Sequence, residues 1–254
     1  MANSQVIPRH LIFFPFFFAE SNLGSKLVAS EIGANYFKTI IQEKKWHIKN
    51  SLPKIEEWSN ITQNGFSHIY NSLEELAESE QIELDSLACT AIIVIYSPIG
   101  LLVTHIGDGR AGYCNINGEW KPMIVPHKGE EANQTIFVTS KRWINHSNFS
   151  MSGVRVPENR VINEKVKAYT LMTDGCERHS FECSVLDKKT KTIHDPNLPY
   201  PNFFNPLKAS LKEMYQSNVS NNDANTIWKE FIDSGNKGLK TEPDDKTMIL
   251  GISI

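Results

Sequence analysis

The apolar positions of this chain change period along its length. Leu23, Leu27, Ile32, Phe37, Ile40 and Ile41 recur near helical spacing, which predicts a helix that Ser21 can cap and that runs to about Trp46. Asn50 to Pro53 break that pattern. Ile55, Trp58, Ile61, Phe66, Ile69, Leu73 and Leu76 then form the stripe of a second helix, with a kink expected at Asn64-Gly65. Both stripes are expected to face a core. From Cys89 the texture is that of strands. Cys89 to Tyr96 is a β-branched run, Ser97-Pro98-Ile99-Gly100 a turn, and Leu101 to Ile106 its return. Arg110 to Ile116 leads into Asn117-Gly118, a strong hairpin signal, and on to Glu119–Met123. Gln134–Thr139 and Val166–Thr173 also read as strands, and the polar stretch Lys141–Asn163 between them reads as loop. Thr190–Pro201 is an exposed-looking segment. Helical patterns return at Phe203–Tyr215 and Asn222–Phe231, and Thr247–Ile254 is a closing strand. Helices, then antiparallel-type strands, then helices and a last strand imply an α+β fold.

One segment does not fit that series at once. Leu11–Ala19 is short and very apolar, with Arg9 and His10 before it. Its basic flank is thin, no A-x-A site follows, and it is too short to span a membrane. It reads as a buried strand interrupted at Pro15. At 254 residues and 40% hydrophobic, the chain can bury one sizeable core, so a single domain over 1–254 is expected. The formal net charge of -3, with signs interspersed, gives no electrostatic case for nucleic acid. Four cysteines without a CxxC pair read as thiols of a reducing, cytoplasmic compartment. Eight scattered histidines without an HExxH motif give no reason to expect zinc.

Three short runs carry the chemistry: Gly107-Asp108-Gly109-Arg110-Ala111, Met172-Thr173-Asp174-Gly175 and Pro243-Asp244-Asp245-Lys246-Thr247. Each sets an aspartate where an apolar strand meets a tight turn. Taken singly, each aspartate could merely cap its turn. Together, three charges at the ends of apolar strands suggest one carboxylate cluster, and oxygen-only clusters suit Mg²⁺ or Mn²⁺. Two such ions can share a water, lower its pKa and clamp a phosphoryl group.

In order and spacing these runs resemble the metal-dependent PP2C-type (PPM) serine/threonine protein phosphatases. Gly107–Ala111 is similar to the family's GDSRA motif, with Gly109 in place of Ser. Thr173-Asp174-Gly175 is similar to its S/T-D-G, and Asp244-Asp245-Lys246-Thr247 to its terminal D-[ND]-x-[ST]. A bacterial subgroup is closer still. It has a stretch like Pro126-His127-Lys128-Gly129-Glu130-Glu131-Ala132-Asn133-Gln134-Thr135, an acidic-basic pair like Glu177-Arg178, and a segment like Asn202-Phe203-Phe204-Asn205-Pro206-Leu207. The resemblance implies a four-layer α-β-β-α sandwich of two antiparallel sheets, here incomplete or atypical over 1–20. It also implies that Asp174 and Asp244 are direct metal ligands, with Asp108 beside them and Asp245 behind. The implied cofactor is Mn²⁺ or Mg²⁺. The implied partner is a phosphorylated protein, product of a cognate serine/threonine kinase, with no membrane or nucleic acid. Glu130 and Asn133 receive no role.

The chain departs from the family upstream. Members carry an early-strand aspartate and an Asp-Gly pair that bridges both metals, whereas the first aspartate here is Asp85 and only Glu20 precedes the first helix. Glu20 is wrongly placed to substitute. Two readings follow: a phosphatase whose recorded chain starts late, hydrolysing phosphoserine or phosphothreonine with a metal-activated water, or an inactive relative that binds phosphoproteins. A third, turn caps alone, leaves the motif order unexplained. No CxxxxxR pattern supports a cysteine phosphatase.

Overall fold

The computed structural model describes residues 12–19, 23–44, 46, 51–127, 135–140, 143, 153 and 155–253. They fall into two units. One comprises His10–Asp108 and Ile124–Glu164, and the other Gly109–Met123 and Lys165–Ile254.

In the first unit, β1 (Ile12–Ala19) is followed by α1 (Leu23–Lys44), α2 (Ile55–Glu80), β2 (Cys89–Ser97) and β3 (Gly100–Ile106). β1 pairs antiparallel with β2 along its whole length, Pro15 opposite Ile93, so the expected interruption at Pro15 does not occur. Proline lacks a donor, and an edge strand needs donors on one side only. α2 likewise runs unbroken through Asn64-Gly65. Gly65 serves packing instead: a Cβ there would stand 2.9 Å from both Phe37 Cζ and Tyr36 Cε1, so its absence lets α1 come close. The core follows the periodicities. Phe37, Trp58, Phe66 and Leu73 from the helices meet Cys89, Ala91 and Ile93, alternate positions of β2. Trp58 Nε1 donates to Val103 O (2.8 Å), satisfying a buried indole.

The chain then enters the second unit with β4 (Arg110–Asn115) and β5 (Trp120–Pro122) and returns to the first for β6 (Glu158–Ile162). β6 lies within the stretch read as loop and is a correction to it. It pairs with β3, completing a four-stranded antiparallel sheet in the order β1-β2-β3-β6. Its polar residues obscure the period-2 pattern, and an outer position in the sheet tolerates them. Conversely, the described part of the stretch Gln134–Thr139, residues 135–139, forms no strand. Thr135 forms an isolated bridge, a turn follows, and Val138 N–H donates to Cys89 O (2.8 Å).

The rest of the second unit runs through β7 (Val166–Met172), short strands β8 (Phe181–Glu182), β9 (Val185–Leu186), β10 (Ile193–His194) and β11 (Leu198–Pro199), then α3 (Pro201–Gln216), α4 (Asn221–Glu230), α5 (Lys237–Thr241) and β12 (Met248–Ile252). Its main sheet is antiparallel in the order β12-β7-β4-β5. Phe204 of α3 stacks on Trp120 (centroids 4.7 Å apart), and Trp120 Nε1 donates to Asn205 Oδ1 (3.0 Å). This gives the Asn202–Leu207 segment a packing role. Ser220 Oγ accepts from Asp223 N–H and caps α4. The α+β class therefore holds: two four-stranded antiparallel sheets, each with helices packed in its own core. No helix among the described residues is long and apolar enough to cross a membrane.

Candidate metal centre

Two of the three aspartates come together. β7 and β12 pair with Met172 opposite Met248, so the residues that continue them, Thr173 and Thr247, are also opposed. Thr173 N–H donates to Thr247 O (3.0 Å), and Thr247 N–H donates to Thr173 Oγ1 (2.9 Å). Thr173 Oγ1 donates in turn to Asp245 O (2.9 Å), tying the turn before β12 to the residue before Asp174. A Cβ on Gly175 would stand 2.5 Å from Asp245 O and 3.2 Å from Asp244 Cβ, so only glycine admits that approach. Asp174 Oδ1 accepts from Gly175 N–H (2.9 Å) and Asp244 Oδ1 from Asp245 N–H (3.0 Å), so each carboxylate is held by the backbone amide that follows it. Lys246 Nζ donates to Leu239 O (2.7 Å). Two aspartates carried on turns that pack this closely are oxygen donors of the kind a hard cation takes.

Asp108 belongs to the first unit, two residues after the end of β3. Thr135 Oγ1 donates to Asp108 Oδ2. Immediately before it, Gly107 has φ +131°, a backbone conformation that favours glycine, and Thr90 occupies the place of a Cβ. His127 holds Gly107 at both backbone groups: His127 N–H donates to Gly107 O (2.7 Å), and Gly107 N–H donates to His127 Nδ1 (3.2 Å). The two ends of the Pro126–Thr135 stretch thus both meet the Gly107-Asp108 turn. Glu20, Glu130 and Asn133 lie outside the described residues.

A buried cluster escaped the sequence reading. His105, fully buried on β3, stands opposite Glu158 of β6, its Nδ1 3.4 Å from Glu158 Oε2. Its ring stacks on His127 with centroids 4.0 Å apart and planes 15° from parallel. Glu158 Oε2 also accepts from Val125 N–H (2.7 Å), and Oε1 accepts from Arg160 Nε (2.7 Å). These three side chains are near enough to be considered for a metal ion. The stack argues otherwise. An imidazole lone pair lies in the plane of its ring, so two nearly parallel, superposed rings cannot both aim at one ion. Burial pushes His127 down to about 3; burial and then the neighbouring His127 hold His105 well below the ordinary histidine range, so both rings are neutral near pH 7. No local spacing signals this cluster, because its members come from separate segments.

Arg110, buried in the second unit, is the other residue the motif reading left without a task. Its Nε donates to Glu177 Oε2 (2.7 Å), Nη2 to Asp195 Oδ2 (2.7 Å) and Nη1 to Asn197 Oδ1 (2.6 Å). Glu177 therefore pairs with Arg110 of the Gly-Asp-Gly-Arg motif. Burial also pushes the Cys89 and Cys176 thiols up to about 12, far from a nucleophilic thiolate.

Comparison with known proteins carries the motif resemblance across the chain. A family model described as protein phosphatase 2C matches residues 19–222. Serine/threonine-protein phosphatase 3 of Escherichia coli (strain K12) is 29% identical over 177 residues, covering 69% of this chain and 60% of that protein. This chain thus matches less than two thirds of the relative's length. Among solved structures, serine/threonine phosphatase Stp1 from Staphylococcus aureus aligns with 96% of this chain and 84% of its own at 13% identity and a TM-score of 0.49. The catalytic domain of the serine/threonine protein phosphatase PstP, in complex with two manganese ions, aligns with 68% of this chain and 71% of its own at 15% identity and a TM-score of 0.41. With a family match over most of its length, and with two of its motif aspartates brought together at paired strand ends, the chain belongs to the protein phosphatase 2C family.

Proposed function

We propose that the chain is a metal-dependent protein serine/threonine phosphatase in which Asp174 and Asp244 hold the cation. The observation that carries this reading is the meeting of those two aspartates at the paired ends of β7 and β12, in a chain of this family. Asp108 is assigned to the same centre from its motif. An all-oxygen donor set favours Mg²⁺ or Mn²⁺ over softer ions. Such ions, when bound, lower the pKa of a water and offset charge on a phosphoryl group. The chain's own part is to supply negative charge at two fixed points, each carboxylate oriented by the amide that follows it, and to let the Asp244-Asp245 turn pack against Gly175. High thiol pKa values at Cys89 and Cys176 support attack by water rather than by cysteine.

The substrate class is a phosphoserine or phosphothreonine side chain of a protein, the product of a protein kinase. The family match over residues 19–222 draws on both units, in keeping with one phosphatase domain that includes them. Four unpaired cysteines favour a reducing, cytoplasmic setting. The test is hydrolysis of p-nitrophenyl phosphate and of a phosphothreonine peptide by the 254-residue chain with Mn²⁺. Asp174→Ala is expected to lower turnover by about 100-fold or more, and a chelator to abolish it. Activity indifferent to both overturns the reading. Mn²⁺ binding without turnover assigns the chain to the inactive, phosphoprotein-binding class.

A further inference from the structure

The Gly107-Asp108 turn is held from one side by a side chain that the sequence motifs leave unexplained. Gly107 has more backbone conformations open to it than any other residue type, and it immediately precedes a carboxylate whose aim matters. His127 closes a two-point clamp on it, donating its N–H to Gly107 O (2.7 Å) and accepting Gly107 N–H at Nδ1 (3.2 Å). An accepting Nδ1 requires the neutral tautomer protonated at Nε2. The ring cannot swing away freely, because it lies flat on His105 (4.0 Å, 15°). The backbone cannot slide either: Val125, two residues earlier, donates to Glu158 Oε2 (2.7 Å), and Glu158 faces His105 across β3 and β6. His127 is fully buried, and its Nε2 makes no well-formed hydrogen bond among the described residues. A polar ring in such a place costs stability that an apolar residue would not. Among the described residues its ring grips Gly107 N–H at Nδ1 and feels the Arg155 backbone besides.

We propose that His127 is a positioning residue for Asp108, with His105 and Glu158 as its backing. The inference rests on the reading of Asp108 as a carboxylate of the metal centre. Two substitutions separate the ring's two tasks. His127→Asn keeps an acceptor near the place of Nδ1 and gives up the stack. His127→Phe keeps a ring on His105 and gives up the acceptor.

Both variants, as full 254-residue chains labelled with ¹⁵N, are read in two ways after circular dichroism has confirmed their folding. Amide hydrogen exchange at Gly107 is expected to quicken by about 100-fold in His127→Phe and by less than about tenfold in His127→Asn, with Val103 in β3 unchanged in both. Unchanged exchange at Gly107 in His127→Phe overturns the clamp. Titration with Mn²⁺ reads the role: paramagnetic broadening of the Asp108 amide is expected to need about tenfold more Mn²⁺ in His127→Phe than in the parent chain, and about the same amount in His127→Asn. Equal Mn²⁺ requirements in all three chains overturn the positioning role while leaving the metal centre standing. If Mn²⁺ fails to broaden Asp108 in the parent chain, the metal assignment of Asp108 falls, and the positioning role with it.

Discussion

His105 and His127 are neutral because they are buried, and that makes them a measurable liability in acid. Above about pH 6.5 both rings are neutral in folded and unfolded chains alike. Below it, the unfolded chain takes up protons that the folded chain refuses, since both folded pKa values are depressed. Stability then falls by about 1.4 kcal/mol per pH unit for each histidine. Glu158 works in the opposite sense. Burial raises its carboxyl, so the folded chain binds that proton earlier than the unfolded one and regains at most one proton's worth. Two histidines outweigh one glutamate, and the net loss between pH 6 and pH 5 is about 1.4 to 2.7 kcal/mol. Urea unfolding at pH 7.5, 6 and 5 checks this; a flat profile would show that the rings titrate as if exposed. None of it was legible beforehand. A histidine's neighbours decide its charge, and 105, 127 and 158 meet only through strand pairing and a loop.

Among the elements, the helices are the best legible, because their signal lies in a few turns of chain. The described stripe residues from Ile32 to Ile41 of α1 and from Trp58 to Leu76 of α2 enter the core, while Ile55 at the start of α2 is exposed. What periodicity does not reveal is the purpose of Gly65, expected to bend α2 and found instead to admit α1. Adding a methyl there gains helix propensity of about 1 kcal/mol. Against this, the methyl would lie 2.9 Å from Phe37 Cζ, and Phe37 is fully buried with little room to retreat. Overpacking costs about 1 to 3 kcal/mol, so Gly65→Ala is expected to lower stability by about 1 kcal/mol. The midpoint of denaturant unfolding reads the sign; a rise would mean that the two rings yield without cost. The strands were less uniformly legible. β2 declares itself by a nearly continuous apolar run and β7 by a mostly apolar one, while β6, largely polar, is recognisable only once β3 offers it an edge.

For the molecule as a whole, the aspartates acquire meaning by convergence of distant segments. Asp174 and Asp244 are brought together by the register of β7 with β12 and the lacing of Thr173 to Thr247 and Asp245. A cation that binds this arrangement and not the unfolded chain must stabilise the fold. At about one hundred times its dissociation constant, Mn²⁺ is expected to add about 2.7 kcal/mol to the unfolding free energy. In Asp244→Ala the thermal midpoint should be the same with and without Mn²⁺. A parent chain equally indifferent to Mn²⁺ would remove the metal centre from this molecule. Arg110 acts on the same scale, joining β4 to Glu177, Asp195 and Asn197 by charge-assisted bonds in a buried place.

The sequence by itself determined the long helices, most of the long strands and the family, because periodicity and short motifs are properties of adjacent residues. It also singled out Asp174 and Asp244, since a charge ending an apolar strand is visible in a few letters. Tertiary structure alone decided which segments meet. Strand pairing places Glu158 opposite His105, the return of the chain sets His127 on Gly107, and a missing Cβ at Gly175 lets two aspartates approach. Each of these depends on register or on close contact between segments far apart in the chain, and neither leaves a local trace in composition or spacing.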